Sequence, residues 1–142
     1  MIKKKIINDP VYGFITIPSE LIYQIISHPY FQRLRHIKQL GLSQYVYPGA
    51  LHTRFQHALG AMHLMGMALD NLRLKGIEIS NDEYEASQIC ILLHDIGHGP
   101  FSHTLEDVLL SGVKHESLSY MFIQKLDVEL NGALGLTLQI FR

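Results

Sequence analysis

The sequence predicts an all-α fold with a short extended N-terminal piece, and three features carry that reading. Apolar residues recur at helical spacing from about Arg54 to Lys75, through Phe55, Leu59, Met62, Met65, Leu69 and Leu72. Ser80, with Glu83 three residues on, forms a capping box that marks a helix start. Strand formers gather only briefly, at Phe14-Ile15-Thr16-Ile17, behind the turn signals Asn8-Asp9-Pro10 and Gly13.

The elements follow in order. Pro18 suits a first helical position, and Leu21, Ile22, Ile25 and Ile26 make an apolar face that ends at Pro29. A second helix is expected from there, with Phe31, Leu34, Ile37 and Leu40 on one side and Gly41 as its stop. Tyr45 to Gly49 reads as a connector. The long helix of Arg54–Lys75 ends at Gly76, and the helix that Ser80 caps runs to about Leu93. The glycines and proline between His94 and Pro100 end or loosen it. Two further helices are expected, near His103–Leu110 and His115–Leu130. The stretch Leu134 to Arg142 is too apolar for a free tail and stops in mid-pattern, so a cover from further chain or another subunit is expected.

Composition narrows the classes. The 142 residues suit one domain, and 47% of them are hydrophobic, enough for an ordinary core. The formal net charge of −1 gives no basis for nucleic-acid binding, and Lys3-Lys4-Lys5 reads as a solvated tail. A single cysteine, Cys90, excludes an internal disulfide framework and fits a reducing compartment. No signal peptide is legible, and no apolar run is long enough to cross a bilayer. A cytoplasmic protein without a membrane partner is expected.

The chemistry lies in nine histidines and their neighbours. His94-Asp95 stands at the end of a very apolar helix, where a neutral imidazole and a carboxylate suit a divalent transition metal. Burying the pair without compensation would be costly, and a metal or a hydrogen-bond network supplies it. His98 and His103 follow within ten residues, among glycines that allow close backbone approach. His115 and Glu116 open a predicted helix, whose N-terminus favours anions. Arg54 and His57 lie three apart on one helical face, so that the Arg can grip phosphate while the His reaches a metal. Together these make a phosphate-and-metal site with spare imidazoles for proton transfer. His28 reads as a turn residue, His36 and His63 as packing or surface positions, and Cys90 as a buried hydrophobe.

In four ordered blocks the sequence resembles the HD-domain phosphohydrolases, specifically the deoxynucleoside triphosphate triphosphohydrolase branch. The blocks are Asn8 to Gly13, Phe31 to Gly41, Tyr47 to Gly60 and His94 to His103. The resemblance runs from about Ile6 to Ser119 and implies the HD-domain helical bundle. It implies that His57, His94 and Asp95 are metal ligands, and that Arg54 contacts the phosphate chain. By the same resemblance Gln39 and Leu40 border the deoxyribose. His98, His103 and His115 would lie around the phosphates, one or more in proton transfer, with Glu106 where relatives carry Asp. Lys5, Asn8, Arg33 and Arg35 match positions that help bind regulatory nucleotides at subunit contacts, which implies a homo-oligomer. Ser27 stands where those relatives carry an acidic residue that reads guanine.

The implied cofactor is divalent metal, with Mn, Fe, Mg, Zn and Ni not distinguished and one or two ions both open, and the implied substrate is a nucleotide. The alternatives are a phosphohydrolase acting on another nucleotide or a phosphomonoester, a non-catalytic nucleotide-binding regulator, or a truncated remnant. The family completes its metal site with a second Asp roughly a hundred residues beyond the HD pair. Residues 1–142 are therefore expected to be the N-terminal portion of one HD domain, three ligands of four, with little turnover alone. Asp107 and Asp127 lie too early to supply the fourth.

Overall fold

A computed structural model of the protein describes residues 5–101, 112 and 114–141. It is built of helices with one small sheet at the N-terminus. Strands β1 (Lys5–Asp9) and β2 (Gly13–Ile17) pair antiparallel, Lys5 opposite Ile17 and Asp9 opposite Gly13. The sequence foretells only the second strand. The Asp9 carboxylate closes the turn by accepting from the Val11 and Tyr12 amides at 2.8 and 3.0 Å, and Gly13 takes φ +72°.

Helix α1 (Glu20–Ser27) is capped by Ser19, whose hydroxyl accepts from the Ile22 amide, and it buries Ile22, Ile25 and Ile26. After Pro29 the expected second helix proves short. Helix α2 (Pro29–Gln32) passes into a 3₁₀ turn over Arg33–His36, and the chain is extended at Ile37. The Ile37 carbonyl accepts from the Arg54 amide at 2.9 Å and Gln39 N donates to His52 O at 3.0 Å. This pairing outcompetes a helix that would have run to Gly41, and it leaves Leu40 half exposed rather than in the core.

Helix α3 (Arg54–Leu74) begins at a capping box of Thr53 and Gln56, and α4 (Asn81–Leu93) at the expected box of Ser80 and Glu83. The two meet at Gly66, whose carbonyl accepts from the Tyr84 hydroxyl at 3.2 Å. Of the predicted α3 stripe, Phe55, Leu59, Met62 and Leu69 are buried, while Leu72 is exposed near the helix end. Helices α5 (His115–Glu129) and α6 (Gly135–Ile140) complete the described elements, and α6 packs on α4 and α5. Leu134 is fully buried, and Leu138 and Phe141 pack on the core of this same chain. Part of the apolar C-terminal stretch thus finds its cover internally, leaving Leu136 and Ile140 exposed. The helix expected near His103–Leu110 lies outside the described residues.

The core joins β2, α1, α2, α3, α4 and α5 through Ile15, Ile22, Phe31, Leu59, Leu92 and Ile123, each at most 2% exposed. At roughly 1.5–3 kcal/mol per fully buried side chain, this core fixes the first turn of α3 against the last turn of α4. No described helix is long and apolar enough to cross a membrane.

Candidate metal centre

Two helix ends meet. Thr53 caps α3, so Arg54 and His57 occupy its first turns, and the strand-like segment 37–40 is bonded alongside. At the other end, α4 gives way after Leu93 to the turn His94-Asp95-Ile96-Gly97-His98. Gly97 is obligatory there, since a Cβ would stand 2.3 Å from Ser119 N and 2.5 Å from His115 O, both backbone atoms of α5.

His57 Nε2 lies 3.4 Å from His94 Nε2. His94 Nε2 lies 3.3 Å from Asp95 Oδ1, and His57 Nε2 lies 3.7 Å from Asp95 Oδ2. Such separations are those of neighbouring ligands about 2.1 Å from one ion, at angles of roughly 105–125°. His94 Nδ1 donates to the Ile91 carbonyl at 2.6 Å, which fixes the tautomer and leaves Nε2 with its lone pair toward the cluster. Burial lowers the pKa of His57 below its usual 6.5 despite the opposing pull of Asp95, favouring the neutral, ligating form. The donor set therefore fits a divalent transition metal.

Asp95 is also held by a cation of the protein. Arg54 Nη1 donates to Asp95 Oδ2 at 2.5 Å, and both side chains are under a tenth exposed. On the other flank, His98 Nε2 approaches Asp95 Oδ1 at 3.6 Å, and its ring stacks on that of His115 with centroids 4.0 Å apart. Asp95, His98 and His115 form a second convergent group that shares the Asp95 carboxylate with the first.

The sequence-derived residues are thus partly assembled. His57, His94, Asp95, Arg54, His98 and His115 form one contiguous cluster. Gln39 is backbone-paired next to Arg54, with Leu40 adjacent. His103 and Glu106 lie outside the described residues, as does Asp107. Asp127 is no ligand in this fold: its Oδ1 accepts from the Leu134 amide at 2.7 Å. Of the four regulatory positions, Asn8 and Arg35 line one cleft of about 290 Å³ between the hairpin and α3. Lys5 instead faces Glu20 and the Tyr23 ring. Arg33 turns inward, its guanidinium on the carbonyls of Ile96 and His98.

Two residues that shape the site escape sequence reasoning: Arg33 in this bonding role, and Ser119. The Ser119 hydroxyl donates to His94 O and accepts from Gly97 N, both at 2.9 Å. A cleft of about 450 Å³ opens beside His57, lined by Tyr12 and Leu64 among others, and His52 joins it there.

Comparison with known proteins gives the family and several relatives. The sequence model of the HD domain family matches residues 54–135. The deoxynucleoside triphosphate triphosphohydrolase SAMHD1 of Homo sapiens is 42% identical over 136 residues, covering 90% of this chain and 21% of its own length. SAMHD1 of Xenopus laevis is 41% identical over 136 residues, with the same two shares of 90% and 21%. A crystal structure of a phosphohydrolase from Bacteroides thetaiotaomicron superposes with a TM-score of 0.95 at 58% identity, over 98% of this chain and 34% of that one. The chain spans about a fifth of the length of the SAMHD1 proteins and about a third of the solved one.

Proposed function

The chain belongs to the HD-domain family, and on that premise we propose that it carries most of the catalytic centre of a metal-dependent phosphohydrolase. The proposed reaction splits a deoxynucleoside triphosphate into deoxynucleoside and inorganic triphosphate. The observation that supports this best is the convergence of His57, His94 and Asp95 beside the buried Arg54 and the stacked His98 and His115.

His57, His94 and Asp95 would hold the metal, which when bound polarises a phosphate oxygen and supplies a nucleophilic water at neutral pH. Arg54 orients the Asp95 carboxylate and places a fixed positive charge beside the phosphate chain. His98 and His115 lie on the flank of Asp95 away from His57 and would share the proton that the leaving oxygen needs. Their stacked rings, 4.0 Å apart, put two imidazoles side by side on that flank. Gln39 and Leu40, held next to Arg54 by the 37–40 pairing, would border the sugar. Asn8 and Arg35 would serve a regulatory nucleotide at a subunit contact, and His103 and Glu106 would join the phosphate side.

The test is product analysis with the complete protein, each deoxynucleoside triphosphate in turn, and Mn²⁺, Mg²⁺ or Fe²⁺ supplied. Release of intact triphosphate, abolished by a chelator and by His94→Ala, is the expected result. Stepwise release of single phosphates would move the assignment to a different phosphohydrolase, and nucleotide binding without turnover would make the protein a regulator.

A further inference from the structure

We propose that Arg33 is a positioning residue for the metal centre: its guanidinium binds two carbonyls of the turn that follows α4 and fixes that turn, which presents Asp95 and His98. The inference rests on the metal reading of His57, His94 and Asp95.

The turn from His94 to His98 has little stiffness of its own. It contains Gly97, precedes Gly99-Pro100, and lies beyond the last residue of α4, so its carbonyls stand outside the helix's own hydrogen-bond ladder. Side chains from distant parts of the sequence take them. Arg33 Nη1 donates to His98 O at 2.8 Å and Arg33 Nη2 donates to Ile96 O, across 65 and 63 positions. From the opposite side Ser119 donates to His94 O and accepts from Gly97 N. The carbonyls of residues 94, 96 and 98 are therefore all pinned by residues outside the turn. Asp95, between them, has its direction set by neighbours that cannot swing.

The choice of arginine follows from the geometry. Two carbonyls two residues apart call for two donors on one rigid plane, which a guanidinium has and an ammonium lacks. No carboxylate pairs with Arg33 among the described residues; its charge rests on the carbonyls of Ile96 and His98 and lies over the Phe122 ring at 5.1 Å. Its Nε is buried without a hydrogen-bond partner, an arrangement tolerated where the other two nitrogens are held by fixed acceptors. The backbone turn thus serves the metal ligands as an outer shell, and Arg33 acts through it without touching metal or substrate.

The experiment compares wild type, Arg33→Met and Arg33→Lys in the complete protein. It reads Mn²⁺ affinity by calorimetry and hydrogen exchange of the amides of residues 96–99 without metal. The expected result for Arg33→Met is faster exchange confined to the turn and a Mn²⁺ affinity about 10–100-fold weaker, the usual effect of losing an outer-shell partner. Arg33→Lys keeps the cation but spans only one carbonyl, and should fall between the two. Wild-type exchange and wild-type affinity in folded Arg33→Met would overturn the proposal. Should Arg33→Met not fold, the same two readouts on Arg33→Lys decide it, wild-type values again overturning it. Absence of Mn²⁺ binding by wild type would instead sink the metal reading, while the exchange measurement still judges whether Arg33 holds the turn.

Discussion

Replacing Gly97 with alanine tests the closest approach in the site. The position has no left-handed φ, so the change carries no backbone strain; its effect is contact alone. The added methyl would meet Ser119 N at 2.3 Å, His115 O at 2.5 Å and Leu118 C at 2.8 Å, where ordinary contact begins at 3.4 Å. These are main-chain atoms, so no rotamer relieves them, and α5 must retreat by roughly 1 Å in a close-packed interior. Overpacking of this kind costs about 1–3 kcal/mol. The retreat also stretches the bonds from Ser119 to Gly97 N and His94 O, for about 0.5–1.5 kcal/mol more. The sum predicts a melting temperature lowered by about 5–15 °C, together with weaker metal binding, because His115 and the HD turn separate. Differential scanning fluorimetry and Mn²⁺ titration read the two effects. Gly99→Ala is the control, since nothing lies within 4 Å of the methyl it would add. A Gly97→Ala protein that melts and binds Mn²⁺ like wild type would refute the claim that α5 seats directly on the turn.

Two further predictions concern the charges. Asp95→Asn should abolish metal binding and also destabilise the fold by about 3–5 kcal/mol, because the buried Arg54 loses its ion pair with the Asp95 carboxylate; Arg54→Met with Asp95→Leu should recover most of the stability, by denaturant titration, and none of the metal. For pH, burial holds His57 below 6.5 in the folded state, so the unfolded chain binds more protons between that lowered value and 6.5. The neutral ring's contribution to stability is therefore present above about pH 6.5 and lost as pH falls through the lowered value. Mn²⁺ affinity should be flat from pH 8 to 7 and decline only below that range, and a decline already between pH 8 and 7 would contradict it.

The sequence makes the local elements legible and leaves the long-range ones dark. Helices α3 and α4 are written in periodicity and in a cap box at Ser80, both properties of residues a few positions apart. Periodicity carries helix α2 too far, to Gly41, because Leu34, Ile37 and Leu40 keep helical spacing while the competing hydrogen bonds come from residues 52–54. Strand β1 has too short a pattern to declare itself without its partner. In the site, the HD pair and the Arg54–His57 spacing identify donors, and the fold brings these donors together. The signs of Arg33 and Ser119 are absent from any local window, since their contacts span 63 and 65 positions for the one and 22 and 25 for the other. Arg33 in particular is a regulatory-nucleotide position by resemblance alone, and the turn it bonds comes into view only in the fold.

A carboxylate that is to bind a cation is already neutralised by Arg54, and this has a consequence for how the site is loaded. His57 and His94 as neutral rings, Asp95 and Arg54 sum to no net charge, so a divalent ion entering them makes the cluster strongly positive. Coulomb repulsion between Arg54 and the ion, several ångströms apart in a partly buried setting, is on the order of a few kcal/mol. The described donors alone should therefore hold metal weakly. A triphosphate brings the missing negative charge to both cations at once, so metal and polyphosphate should each tighten the other's binding, by the same factor from either side. Calorimetric titration of the complete protein with Mn²⁺, with and without a non-hydrolysable deoxynucleoside triphosphate, measures that factor, and about tenfold or more is expected for a coupling above roughly 1.4 kcal/mol. Arg54→Met should raise the affinity for Mn²⁺ alone while shrinking the coupling. Independent binding of the two ligands would show that Arg54 serves Asp95 only, and that the phosphate chain is gripped elsewhere.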